Sequence, residues 1–158
     1  MKTAQDWIDE LGLLPHPEGG FYKETYRATD SVNERAISTG IYFLLRAEDI
    51  SHFHRIDADE MWHFYAGAPL TVHMISPAGD YDVIKLGTDI KAGQSPQGVV
   101  PKHVWFGAAL DKAAPPDAYS LVGCTVSPGF EFSYFELAAR DKMLKEFPQH
   151  TEIIKKLT

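Results

Sequence analysis

Two histidines and a glutamate stand close together in Ser51-His52-Phe53-His54-Arg55-Ile56-Asp57-Ala58-Asp59-Glu60. These residue types exchange protons near neutral pH or ligate a divalent metal. On an extended strand successive side chains alternate between faces, so His52 and His54 project together. Arg55 to Asp59 read as a loop that returns the chain, with Glu60 opening the next strand. There Glu60, Trp62 and Phe64 share one face, and Met61, His63 and Tyr65 the other. If the first face lines an interior, two imidazoles and one carboxylate converge on one point. His54 and Glu60 form the centre of this reading as candidate catalytic groups, because burying such groups is costly unless a partner or ligand meets them. His52 sits nearer the rim of the same face.

Other residues join this set by type and position. Arg55 and Asp59 flank the loop, either as a substrate anchor and an orienting carboxylate or as an exposed ion pair worth little. Trp62, Phe64, Trp105 and Tyr42 can form an aromatic platform for a ring-shaped ligand, or simply fill a core. Gln97, between Pro96 and Pro101, is a candidate polar contact, and His103 a candidate ligand or an exposed loop residue. Tyr22, Tyr42 and Tyr65 are candidate acids. Cys124 lies in an apolar run with no activating group nearby and reads as a packed small hydrophobe. His63 and His73 read as ordinary strand residues, and His150 as surface.

The elements that must position these groups are mostly strands. Thr3 can cap a short helix through Trp7, Ile8 and Leu11 that stops at Gly12. Pro15-His16-Pro17-Glu18-Gly19-Gly20 reads as a turn, of which Glu18, Gly19 and Gly20 place Tyr22 and Tyr26. Strands are expected over Phe21–Arg27, Ser38–Leu45 (buried on both faces), Glu60–Tyr65, Leu70–Ile75, Tyr81–Leu86, Gln97–Phe106 and Tyr119–Val126. Many short strands with turns between them and no helices predict a sandwich or barrel. Helical spacing returns over Leu137–Phe147, and again after Pro148 over His150–Leu157. The reading is one domain over 1–158: an all-β barrel with a short N-terminal helix and a helical C-terminal tail.

Composition narrows the function classes. The chain has 158 residues, 44% hydrophobic and 23% charged, enough for one ordinary core without staples. The formal charge is −7 and the 15 Lys and Arg are scattered, which disfavours nucleic acid and anionic lipid surfaces. No stretch approaches a bilayer-spanning length, and the first residues lack the apolar run of a signal peptide. With a single cysteine, a reducing, cytoplasmic setting is expected. The expected partner is a small molecule, or another copy of the chain.

His-x-His, five residues, Glu, six residues, Gly (His52 to Gly67) resembles the first motif of the cupin superfamily, with a slightly longer loop. Gly93-Gln94-Ser95-Pro96-Gln97-Gly98-Val99-Val100-Pro101 resembles the start of the second. More narrowly, HPEGGFYKETYR (16–27), FHRIDADEMWHFYAG (53–67), PQGVVP (96–101) and GCTVSPGFEFSYFEL (123–137) resemble the cupin type 5 family. That resemblance implies a double-stranded β-helix, the jelly-roll cupin barrel, usually a homodimer. It is distantly similar to deoxysugar epimerases, germins and auxin-binding proteins, and it brings no established reaction. It also implies a metal set of His52, His54 and Glu60, with Fe, Mn, Ni or Zn as the divalent ion. The second motif normally adds a histidine five residues after its proline, a position held here by Phe106, which cannot bind metal. His103, nearby, is the substitute candidate. A metal centre and a metal-free polar pocket both remain open on this ligand count. The functions expected are an isomerase- or epimerase-type enzyme on a small polar, sugar-like metabolite with His54 as base; a non-catalytic binding or sensing protein; or a metal-dependent oxygenase or lyase.

Overall fold

Thr3 begins the first helix as a reciprocal cap: its hydroxyl accepts the Asp6 amide at 3.2 Å, and the Asp6 carboxylate accepts the Thr3 amide at 2.7 Å. The helix, α1 (Ala4–Leu11), ends where Gly12 takes the left-handed conformation at φ 64°. These coordinates are a computed structural model, and they describe residues 1–158. Strands follow at Leu14–Pro15 (β1), Phe21–Arg27 (β2), Ser31–Val32 (β3), Arg35–Ala36 (β4), Thr39–Arg46 (β5) and Ser51–Arg55 (β6). The chain continues through Asp59–Gly67 (β7), Leu70–Ile75 (β8), Tyr81–Leu86 (β9), Gln97–Val100 (β10) and Trp105–Leu110 (β11). Tyr119–Ser127 (β12) and Glu136–Leu137 (β13) complete the strands, and Arg140–Glu146 (α2) and Thr151–Lys156 (α3) form the tail.

The strands pair antiparallel into a six-stranded sheet, β1-β2-β5-β12-β7-β10, and a five-stranded sheet, β13-β6-β11-β8-β9. The main core lies between them. Phe43, Leu45, Trp62, Val122 and Cys124 from the first sheet meet Val72, Met74, Phe106, Ala108 and Leu110 from the second. This is the two-sheet jelly-roll barrel expected from the pattern of short strands. Strand β5 is apolar on both faces for a visible reason. Phe43 and Leu45 enter the main core, while Leu44 packs outward with Ile8, Leu13 and Leu121 beneath α1. The tail does the same for the other sheet: Met143, Phe147, Ile154 and Leu157 cover Phe53, Ile75, Trp105 and Ala109. No helix is long and apolar enough to cross a membrane.

Two elements differ from expectation. The strand predicted over Gln97–Phe106 is two strands in different sheets: β10 pairs with β7, and β11 pairs with β6 and β8. Pro101 has no N–H to continue a ladder. His103 then turns the chain at φ 67°, its amide donating to the Ile56 carbonyl at 2.8 Å. Alternation therefore does not carry through from Pro101 to Trp105. The helix predicted from Leu137 begins instead at Arg140, because Glu136 and Leu137 pair with Arg55 and His54 along the edge of β6.

Candidate functional site

The site is assembled at one end of the barrel from a turn and residues of five strands, β2, β5, β6, β7 and β12. His54 on β6 points inward and is 3% exposed. Its ring packs against Phe106 at 4.0 Å and Phe135 at 5.2 Å between centroids. The turn at residues 16–20 descends onto it. Gly19 makes this descent possible: at φ 108°, a Cβ there would sit 1.9 Å from the Ile50 carbonyl oxygen. The Glu18 carbonyl accepts both the His52 amide and His52 Nδ1, each at 2.7 Å. So anchored, Glu18 is 5% exposed and brings Oε2 to 2.7 Å from His54 Nε2.

The hydrogen bonds fix where the protons are. His54 Nδ1 lies 2.7 Å from the His52 carbonyl, an acceptor only, so Nδ1 carries a proton. Nε2 then shares a second proton with Glu18, and the raised His54 and lowered Glu18 pKa favour the imidazolium and the carboxylate. Burial alone would lower the His54 pKa, but the charge and hydrogen bond of Glu18 outweigh it and hold the ring above its ordinary value. For Glu18, burial pushes upward and is outweighed by His54, so the carboxyl stays below its ordinary value. His16 behaves differently. Its Nδ1 accepts the Glu18 amide at 3.1 Å, and burial lowers its pKa, so it is neutral. Its 3.7 Å approach to Glu18 Oε1 is not an ion pair.

Glu60, at the start of β7, is 8% exposed, and its Oε2 has no hydrogen-bond partner. Burial is the largest influence on it, and the Glu18 charge adds to burial while His54 opposes it; the carboxyl is pushed up to about 8. It is therefore protonated at neutral pH. Cys124, beside it, is held well above the ordinary thiol value by burial and remains a thiol.

These groups surround a chamber of about 30 Å³ whose walls include His16, Tyr22, Ile41, Val126 and Phe130. A second cavity of about 150 Å³ shares Tyr22, Thr39, Ile41 and Phe130 with it and adds Glu24, Arg27, Glu131 and Phe132. Because it shares four walls with the first and is bordered by the exposed Glu24 and Arg27, the second is termed the vestibule. Both are smaller than the roughly 300–1,000 Å³ of typical ligand pockets.

Of the residues singled out in the sequence, His54 and Glu60 meet in the chamber. His52 lies at its rim, holding the turn. Trp62 faces inward but deeper, packed between Phe43 and Phe106 and 1% exposed, and Phe64 packs against the same core. Arg55 lies outside, ion-paired with Glu136 at 2.8 Å and stacked over Trp105 at 4.3 Å. Trp105 itself is buried beneath the C-terminal helices. Gln97 is exposed on the outer side of β10 beside His63, at 3.3 Å. His103 is exposed on its turn. Of the three tyrosines, Tyr22 faces the chamber, while Tyr42 and Tyr65 pack together outside the core at 6.1 Å. Glu18, placed in a turn by the sequence, is the residue missing from the candidate site set. Its signal was the Gly-Gly pair after it, a mark of close backbone approach.

The proposed metal set does not assemble. No three His, Cys, Asp or Glu side chains are placed to hold one ion. His103 is on the surface, His52 Nδ1 is bound to a carbonyl, and both nitrogens of His54 are engaged. Phe106 stands opposite His54 in register, filling the space where another donor would be needed.

The fold and this chamber define a single jelly-roll barrel with a histidine–carboxylate site at one mouth. The family described as Cupin superfamily (DUF985) matches residues 5–138, and the chain belongs to it. It is 30% identical over 148 residues to uncharacterized protein YML079W of Saccharomyces cerevisiae, covering 83% of this chain and 73% of that protein. The crystal structure of protein SO0799 from Shewanella oneidensis is similar with a TM-score of 0.94 and 47% identity, over 100% of this chain and 98% of that one. A hypothetical protein from Leishmania major gives 0.93 and 38%, over 99% of each chain. Oxalate decarboxylase of Bacillus subtilis shares the fold alone, with a TM-score of 0.58 and 11% identity over 90% of this chain and 36% of its own.

Proposed function

We propose that this protein is an enzyme that binds a small polar metabolite across the chamber and its vestibule and moves protons on it, an isomerase- or epimerase-type reaction. The observation that supports this most is the 2.7 Å contact of Glu18 with His54 beside a second carboxyl, Glu60, that is buried, unpartnered and pushed toward its neutral form, all in one space. Acid–base sites are built from titratable groups whose surroundings push their pKa values apart. Both nitrogens of His54 are occupied, so the base is the Glu18–His54 dyad rather than His54 alone. Glu18 takes a proton from a carbon next to a carbonyl, and the C–H electrons become a carbon–carbon double bond. The carbonyl oxygen takes the Glu60 proton, giving a neutral enol. Return of a proton to the other face or the neighbouring carbon completes the isomerisation. His54 keeps Glu18 ionised in a space that would otherwise neutralise it.

The test is incubation of a metabolite panel with the protein in D2O, read by NMR for deuterium at such carbons. Incorporation that is lost in Glu18→Gln and Glu60→Gln supports the proposal. Compounds that bind, shift the melting temperature and never exchange would assign a binding or sensing role instead. The assembly proposed with this function is a cytoplasmic homodimer, for which light scattering returns about twice the 17.7 kDa chain mass.

A further inference from the structure

The walls of the two cavities hold one lysine or arginine between them, Arg27 in the vestibule. That cation is already engaged. Its Nε donates to Glu24 at 2.7 Å, Nη1 to Glu131 at 2.8 Å and Nη2 to the Phe130 carbonyl at 3.0 Å. Two carboxylates thus surround one guanidinium at the entrance, leaving the vestibule net negative. Inside, the imidazolium of His54 is paired with Glu18, so it offers no free charge to an anion either. A cation that passed the entrance would meet a Glu18 carboxylate whose charge is already balanced by His54 at 2.7 Å, so the pair offers no net negative charge to receive it. What the chamber does offer is Glu60 Oε2, buried and without a partner. An unpaired buried polar atom is costly, and a ligand group able to donate or accept there recovers that cost.

We propose that the ligand of this site is a small uncharged molecule whose hydroxyl or carbonyl group hydrogen-bonds Glu60, and that Glu24 and Glu131, by occupying Arg27, exclude anions. The proposal rests on the chamber being the ligand site described above. It sets the site apart in chemistry from one for a dicarboxylate, which needs a free cation to receive it. Arg27 becomes a specificity residue by being unavailable.

Three probes of similar size and different charge test this: glycolamide, glycolate and ethanolamine. Each is titrated into protein carrying 13C-labelled glutamate side chains, following the Glu60 carboxyl resonance. Glycolamide is expected to shift that resonance, with both charged probes weaker by at least about tenfold. In the Glu60 variants the labelled Glu18 carboxyl, in the same chamber, is followed instead: Glu60→Leu should abolish glycolamide binding, while Glu60→Gln, which keeps the shape and a hydrogen-bonding group, should retain it. The double variant Glu24→Gln/Glu131→Gln releases Arg27 and should gain glycolate binding. Binding of either charged probe as tight as glycolamide overturns the proposal, and so does an unmoved Glu60 resonance with all three. Deuterium exchange in the metabolite panel reports separately on catalysis. Uncharged binding without exchange leaves the ligand class standing and removes the reaction, and charged binding with exchange does the reverse.

Discussion

Glu18 Oε2 lies 2.7 Å from His54 Nε2, and the same ring donates through Nδ1 to the His52 carbonyl at 2.7 Å. The two contacts leave the imidazole no free lone pair. His54 is thus a fixed positive charge beneath the turn at residues 16–20, and Glu18 is the group that faces both it and the chamber. Around this pair the remaining acid, Glu60, is kept neutral by burial and by the nearby Glu18 charge.

Burial is already the largest single influence on His54, and replacing Glu18 by Gln removes the counter-charge that opposes it most. The imidazole pKa is expected to fall from above its ordinary 6.5 to below it. The loss of a buried, charge-assisted hydrogen bond should cost about 1.5–3 kcal/mol at pH 6. An NMR titration of the His54 ring together with urea unfolding checks both. An unchanged ring pKa would refute the proton assignment. The sign follows from the pair itself. His54, raised in the fold, stabilises below its ordinary 6.5 and loses that as pH climbs through its folded value. Glu18, lowered in the fold, stabilises above its ordinary 4.5 and loses that as pH falls. The pair contributes in full between those two values.

Glu60 acts in the opposite sense. Its pKa rises from 4.5 to about 8 on folding, so the folded state binds more protons across that window. Its contribution to stability therefore declines as pH rises from 4.5 to about 8. Glu60→Gln, neutral at every pH, should flatten the fall in melting temperature between pH 5 and roughly pH 8.5 and be the more stable protein at the alkaline end. Parallel curves for the two proteins would contradict this.

Phe106 stands opposite His54, with ring centroids 4.0 Å apart. Phe106→His should add the donor that the site lacks and raise Co(II) affinity by at least about tenfold over the unmodified chain. The visible absorption of bound cobalt reports it. Equal affinity in both proteins would show that metal recruitment does not depend on this position.

Leu157 is fully buried against the outer face of the second sheet, and its carbonyl accepts the Phe53 amide at 2.8 Å. Leu157→Ala should destabilise by roughly 2–5 kcal/mol through lost burial and the cavity left behind. The Phe53 bond uses the backbone and survives the change. Chemical denaturation measures the loss, and a cost below about 0.5 kcal/mol would mean the tail is not part of the cooperative core.

His54 and Glu60 were legible because the information is local. A strand turns successive side chains to opposite faces, so each residue's face follows from one register choice. The same rule gave Trp62 its inward face but not its depth; it fills the core beneath the chamber. Arg55 and Trp105 fell outside the site because β6 and β11 pack one face against the tail. Gln97 and His103 lie on either side of a break that begins at Pro101, and across such a break alternation carries no meaning.

From the sequence alone came the strand-rich barrel, the capped first helix, the helical tail and the inward faces of His54 and Glu60, which line one cavity without bonding each other. All of these depend on interactions between residues near in the chain, read through periods of 2 and 3.6. Tertiary structure alone decided the partner of His54. Glu18 reaches it because Gly19 lets the turn pass against the Ile50 backbone, a contact between segments distant in sequence. Burial then set the charges, holding Glu18 and His54 ionised together and Glu60 neutral, since desolvation depends on what surrounds a group and not on its neighbours in the chain.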